Sequence, residues 1–169
     1  MKKFTKFFIL SICYLFTITC ANANSRSCIS KNDITNLIDS FKQKKDILLS
    51  DGEYIDIDAT DIITKDALYK EINNKGYMKL FPNKISYHFF LQYLKKLATN
   101  PNLFIDKDLT YNEKDVIYIF TLSCHDEKAL IQINTSRYIK DFGNAESAYM
   151  YYFNKINNQI YLLKMNVAG

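Results

Sequence analysis

Three segments in the first half of the chain place apolar residues at the spacing of an α-helix. The first is predicted over residues 31–49. Ser30 and Asp33 stand at its start in a capping-box pattern, in which each side chain can accept a hydrogen bond from the other residue's backbone N–H. One face of this helix carries Ile34, Leu37, Ile38 and Phe41, and Leu48 continues that face.

The second and third helices follow the same reasoning. The second is predicted over residues 61–75, with Ala67, Leu68 and Ile72 facing inward and Gly76 at its C-terminal end. Asn83 is predicted to cap a third helix that runs to about Ala98. Its apolar arc consists of Ile85, Phe89, Phe90, Tyr93, Leu94 and Leu97, and its polar side of Lys84, His88, Gln92 and Lys95.

In the second half of the chain the apolar spacing changes to every second residue, which is typical of β-strands. A strand is predicted along Val116–Cys124, with Val116, Tyr118, Phe120, Leu122 and Cys124 on one face. A second strand is predicted around Leu130–Ile139, and residues 141–144 (DFGN) form a turn. Two asparagines at 157–158 separate two further strands and predict a hairpin, because asparagine tolerates positive φ. On its arms, Tyr149, Tyr151 and Phe153 share one face, as do Tyr161, Leu163, Met165 and Val167.

Helices followed by an antiparallel meander predict an α+β domain, with the N-terminal helices packed on one face of a C-terminal sheet. The order of elements is similar to that of NTF2-like and cystatin-like domains, in which a curved sheet wraps a helix. Before the meander, residues 53–60 (EYIDIDAT) form either a short half-exposed strand or an extended link.

The N-terminus has the three parts of a secretory signal. Basic residues at positions 2, 3 and 6 precede an apolar run over 7–18, and small residues follow at 21–23. The predicted signal peptide is residues 1–23 and the predicted domain is 24–169. The chain is therefore expected to be exported, periplasmic or secreted. The minor alternative is a lipid anchor on Cys20, for which the preceding residues match a lipobox poorly.

Charge gives no reason to expect a polyanionic partner. The net charge is +4, and removal of the three lysines in the signal leaves +1. A nearly neutral domain does not favour nucleic acid or an anionic membrane surface. We expect neither a nucleic-acid partner nor a stable membrane anchor after cleavage.

Two cysteines remain after the signal, Cys28 and Cys124. An even number in an exported protein is typical of a disulfide, which here would enclose most of the domain. A free buried thiol or a reactive nucleophile at Cys124 is the alternative.

The residue combinations that resemble reaction centres are incomplete. Residues 56–60 (DIDAT) match the DxDxT motif of haloacid-dehalogenase-type phosphatases, but the buried strand that precedes that motif is missing. Cys124 and His125 are adjacent in an extended chain, so their side chains point in different directions. Two histidines do not provide the three or four ligands of a zinc site. The remaining acidic candidates for hydrolysis are Asp106, Asp108 and Glu113. We predict no metal and no organic cofactor.

The C-terminal hairpin is rich in tyrosine, a residue favoured at protein-binding surfaces. The candidate binding residues are Tyr149, Tyr151, Tyr152 and Tyr161. The favoured hypothesis is a binding protein without catalytic machinery, of the type of periplasmic immunity proteins that block a toxic effector. The alternatives are a small cell-envelope hydrolase that uses carboxylates or His125, and a carrier of an apolar ligand in an NTF2-like cavity.

Overall fold

The computed structural model describes residues 28–43, 48–49, 53–55, 62–125, 128–157 and 159–169. Within these residues, three α-helices are formed: α1 (Lys31–Gln43), α2 (Lys65–Lys75) and α3 (Lys84–Leu97). Short 3₁₀ helices cover Tyr77–Leu80 and Pro101–Leu103. The predicted signal peptide (1–23) and the acidic motif at 56–60 lie outside the described residues.

The strands of the described residues form one sheet. The first three are short: β1 (Leu48–Leu49), β2 (Glu53–Ile55) and β3 (Ile62–Thr64). The last five form an antiparallel meander: β4 (Leu109–Glu113), β5 (Val116–His125), β6 (Lys128–Ile139), β7 (Gly143–Ile156) and β8 (Gln159–Ala168). Their order in the sheet is β3-β2-β8-β7-β6-β5-β4, and β1 lies outside this order and pairs with β8. The predicted α+β class, with helices N-terminal to the sheet, is confirmed.

One face of the sheet, here called the inner face, packs against the helices. Its buried residues alternate along the strands as predicted for β5, where Tyr118, Phe120 and Leu122 are all buried. Aromatic rings fill the space between helix and sheet. Phe81 lies 4.8 Å from Phe90 and 5.3 Å from Tyr151, measured between ring centroids. Such ring pairs add to the energy of area burial, so this interface is a packed core.

The structure corrects the predicted ends of the first two helices. The first, predicted over 31–49, ends at Gln43, and Leu48–Leu49 instead pairs in parallel with β8. The second, predicted over 61–75, begins at Lys65, because Ile62–Thr64 pairs with β2. Thr64 caps the helix by accepting a hydrogen bond from the Ala67 N–H, and Ala67 is exposed rather than inward. Both errors arise from strand pairing: the first with β8, which is distant in sequence, and the second with β2, which lies just before β3 in the chain.

A β-bulge corrects the predicted face of β8. The register between β7 and β8 shifts between Tyr152, which pairs with Lys164, and Phe153, which pairs with Leu162. The one extra residue on β8 reverses the alternation of faces at that point. Leu162 and Met165 are therefore the buried residues of this strand, and Tyr161 does not share their face.

The predicted disulfide between Cys28 and Cys124 is present, with the two Cα atoms 5.5 Å apart. It joins the segment before α1 to the end of β5. The predicted capping box also forms, because the Ser30 N–H donates to Asp33 Oδ2 at 2.9 Å and the Asp33 N–H donates to Ser30 Oγ at 3.2 Å. None of the described helices is both long and apolar enough to cross a bilayer.

Candidate functional site

The four candidate tyrosines do not form one surface. Tyr151 is fully buried, and its hydroxyl donates to the Leu80 carbonyl at 2.6 Å. Burial raises the pKa of Tyr151 well above its usual value. This residue joins the sheet to the segment before α3 and offers no area to a partner. Its position follows from the alternation of β7, which points it towards the helices.

Tyr149 lies on the same face as Tyr151 but nearer the edge of the core, where it is half-buried. It lines a groove of about 230 Å³ beside the start of α3, together with Asn83 and Arg137. The Asn83 amide donates to the Tyr118 hydroxyl at 3.4 Å in the same region. Tyr149 therefore contributes to a groove on the inner face of the sheet and not to a surface shared with all the other candidate tyrosines.

Tyr152 and Tyr161 lie on the opposite face of the sheet, here called the outer face. Tyr152 pairs with Lys164, and Tyr161 pairs with Asn154. Both tyrosines are half-buried among neighbours on the strands. In the described part of the chain, residues at outer-face positions are half-buried or exposed, because the helices cover the inner face only. The predicted binding role remains a prediction for these two residues.

The most exposed aromatic residues lie elsewhere, at the turn that joins β6 to β7. The pairing of β6 with β5 begins at Arg137–Val116, and that of β7 with β8 begins at Ala148–Ala168. The two middle strands pair with each other beyond those points, as far as Ile139–Gly143. The hairpin therefore projects from the sheet as a two-stranded ribbon.

Three large apolar side chains are exposed on this projection. Phe142 is 88% exposed, Tyr138 66% and Ile139 39%. We call residues 138–142 the hairpin tip. Its turn is held by a hydrogen bond from the Phe142 N–H to the Ile139 carbonyl at 3.1 Å. Asp141 and Gly143 have φ values of 74° and 84°, a conformation that aspartate and glycine tolerate better than most residues. The turn has a defined backbone shape that leaves Phe142 in solvent.

A groove lies beside the tip on the outer face. Its volume is about 430 Å³, within the range of pockets that enclose a small organic group. We call it the outer groove. Its lining combines methyl groups with polar side chains and includes Ile119, Asn134, Ser136, Glu146, Ala148 and Ala168. Tyr138 pairs with Asn144, two residues beyond the Ser136–Glu146 pair that lines the groove. Tyr138 therefore lies on the same face of the ribbon as the outer groove, about 7 Å further along the strands.

Charges around the tip balance. Arg137 and Lys140 provide two cations, and Asp141 and Glu146 provide two anions, all on exposed residues. A surface of this kind does not steer a strongly charged partner. The exposed aromatic side chains, and not a net charge, therefore distinguish this surface.

The residue combinations considered as candidate reaction centres are not assembled in the described residues. Cys124 is bonded to Cys28 and is no nucleophile in this state. Two of the acidic candidates act as hydrogen-bond acceptors on the surface: Asp106 from the Ser123 hydroxyl and Asp108 from the Thr121 hydroxyl. Among the described residues, no three His, Cys, Asp or Glu side chains are grouped as metal ligands would be.

Residues 141–144 were predicted as a turn, but neither Tyr138 nor Phe142 was among the candidate binding residues. The available signal was an aromatic residue inside a turn, where polar residues predominate. No family model, curated protein or solved structure matches this chain.

Proposed function

We propose that this chain is an exported binding domain without catalytic machinery, which docks on a protein partner through the hairpin tip. An immunity protein that blocks a toxic effector is the type of protein that we favour. The disulfide supports export, because such bonds persist in oxidising compartments such as the periplasm. Partner binding, rather than a reaction, is supported by the exposed aromatic tip.

The exposure of Phe142 carries the proposal. A phenylalanine that remains 88% exposed forgoes most of the energy that burial would provide, about 1.5–3 kcal/mol. Aromatic residues of this kind dominate binding when they enter a partner's pocket. The backbone hydrogen bond across the turn fixes the shape of the tip before binding, which lowers the entropy that docking must overcome.

The packing of the core supports binding at the surface rather than inside. Phe41, Phe81 and Phe90 contact one another with ring centroids 4.8–5.8 Å apart. Tyr151, which lies on the sheet, contacts Phe81 and Phe90 of this cluster. Aromatic side chains therefore occupy the space between α3 and the strands, where an NTF2-like carrier would hold its ligand.

The partner can be identified by photo-crosslinking in living cells. A photoreactive phenylalanine analogue replaces Phe142 in one version of the protein and Leu103 in a matched control. Leu103 is 57% exposed and lies in the 3₁₀ helix after α3, away from the tip. We expect one covalent adduct that is specific to position 142, identified by mass spectrometry.

The adduct must then be reconstituted from purified proteins. Phe142→Ala should weaken the affinity at least about tenfold, as expected for a binding hot spot, whereas Leu103→Ala should leave it unchanged. For the immunity hypothesis, the first candidate partner is the product of the neighbouring gene. Co-expression of this chain should suppress the toxicity of that product. Equal crosslinking at positions 142 and 103, or an affinity unaffected by Phe142→Ala, would overturn the proposal.

A further inference from the structure

We propose that a second copy of this chain covers the hairpin tip when no other partner is bound, forming a two-fold symmetric dimer through the outer groove. Each copy inserts its tip into the groove of the other. This inference goes beyond the proposed function, because it concerns self-association and does not require a foreign partner.

The first argument is the arrangement of the surface. The projecting aromatic residue Tyr138 and the outer groove lie on one face of the same ribbon, about 7 Å apart along the strands. A two-fold interface brings the same patch of both copies together, so a contact made by one copy is repeated by the other. With the two ribbons antiparallel, a rotation axis between tip and groove places each tip over the opposite groove.

The second argument is charge complementarity. Lys140 is exposed in the tip, and Glu146 is exposed on the wall of the groove. The two-fold rotation that exchanges tips also brings Lys140 of one copy towards Glu146 of the other, twice in each dimer. Asp141 balances Lys140 within the tip, so the exchanged arrangement is favoured by the individual Lys140–Glu146 contacts and not by a net charge difference between tip and groove.

The third argument is area. Tyr138 and Phe142 of two copies provide four aromatic side chains, each of which buries about 150–250 Å² in a protein interior. Together with the groove walls and the exposed Ile117 on the same face, the contact approaches the roughly 1,200 Å² at which specific interfaces begin. An interface at this lower limit predicts a weak, concentration-dependent dimer.

Sedimentation velocity of the purified full exported chain tests the proposal across micromolar to millimolar concentrations. We expect a monomer–dimer equilibrium. Phe142→Ser removes the tip side chain, and Ala148→Trp fills the groove; each should raise the dissociation constant at least about tenfold. Leu103→Ser, which removes an exposed apolar side chain elsewhere, should have no effect. Circular dichroism confirms that each variant retains the fold.

Charge reversal distinguishes contacts between copies from contacts within one copy. Lys140→Glu alone and Glu146→Lys alone should each weaken the dimer by roughly threefold to tenfold, because each change introduces two like-charge contacts. An equimolar mixture of the two single variants should dimerise again, since both intermolecular contacts then join opposite charges. A contact within one copy would gain nothing from mixing.

A monomer at every concentration would overturn this inference and leave the proposed function standing, since that rests on capture and reconstitution of a different protein. A dimer that neither Phe142→Ser nor Ala148→Trp weakens would overturn the exchanged geometry. Failure of the mixed variants to associate would overturn the Lys140–Glu146 contact on which the charge argument depends.

Discussion

Removal of the Cys28–Cys124 disulfide should cost this domain much of its stability. The two cysteines are 96 residues apart in sequence, so the bond closes a loop that includes all three described helices and the first two strands of the meander. In the chain-entropy model, a loop of this length stabilises the folded state by about 4–5 kcal/mol through restriction of the unfolded chain. Domains have total stabilities of about 5–15 kcal/mol, so the expected loss is a large fraction.

Urea denaturation of the Cys28→Ala/Cys124→Ala variant measures this loss. The transition midpoint should fall, and the slope m should increase, because an unfolded chain without the crosslink exposes more surface. The natural protein treated with a thiol reductant is the matched control. Reduction removes the same covalent constraint without changing side-chain volume, so both samples should lose a similar free energy of unfolding.

Two results would refute this reasoning. A loss below about 1 kcal/mol with an unchanged m would show that the crosslink does not restrict the unfolded chain as the loop-entropy model requires. A loss confined to the double variant, with the reduced protein as stable as the oxidised one, would assign the effect to the side chains. Both cysteines are half-buried, so a small packing contribution in the double variant is expected.

Three further substitutions test polar groups in the core and at the first helix. Burial alone would raise the pKa of Asp33. Hydrogen bonds from Ser30 and Lys155 lower the pKa by more than burial raises it, so the pKa lies below its usual 3.8. Asp33→Asn should therefore lower the free energy of unfolding by about 1–2 kcal/mol at neutral pH, as measured by urea denaturation. The difference in this free energy between variant and natural protein should vanish as the pH falls below 3.8 and through the lowered pKa of the folded state, because Asp33 then becomes protonated. A pH-independent difference would contradict the role of the charge. Tyr151→Phe should destabilise by about 1–3 kcal/mol, because it leaves the buried Leu80 carbonyl without this donor. Tyr93→Phe should be neutral or stabilising in the same assay, because the buried Tyr93 hydroxyl has no hydrogen-bond partner among the described residues. Equal losses for the two tyrosines would contradict this contrast.

Local periodicity was sufficient to predict the elements whose partners are close in sequence. The apolar arc of α3 and the capping residue Asn83 identify a helix that the structure places at Lys84–Leu97. The alternation of apolar and polar residues likewise identifies β5 as a strand of the meander. Asn157, which has positive φ, lies in the last turn of the meander, as predicted from its tolerance of this conformation. In each case the pattern that determines the element is contained in the element itself.

Features that are set by pairing with another strand were not predictable in the same way. Leu48 falls on the apolar face of α1 by spacing, yet it pairs with Tyr161, more than a hundred residues away. The bulge opposite Tyr152 is also set by pairing, and it moves Tyr161 away from the face of Met165. A sequence pattern records which residues are apolar but not which strand lies beside them.

The same distinction explains why the tyrosine pattern did not lead to the hairpin tip. Tyr151 and Tyr138 are both tyrosines in long strands of one hairpin, but Tyr151 lies on the inner face under the helices and Tyr138 lies on the outer face, which the described helices leave uncovered. Tyr138 also lies beyond Arg137, where the pairing of β5 with β6 ends. Exposure at the tip therefore depends on which face of the sheet the helices cover and on relative strand length, and the spacing of tyrosines along the sequence records neither.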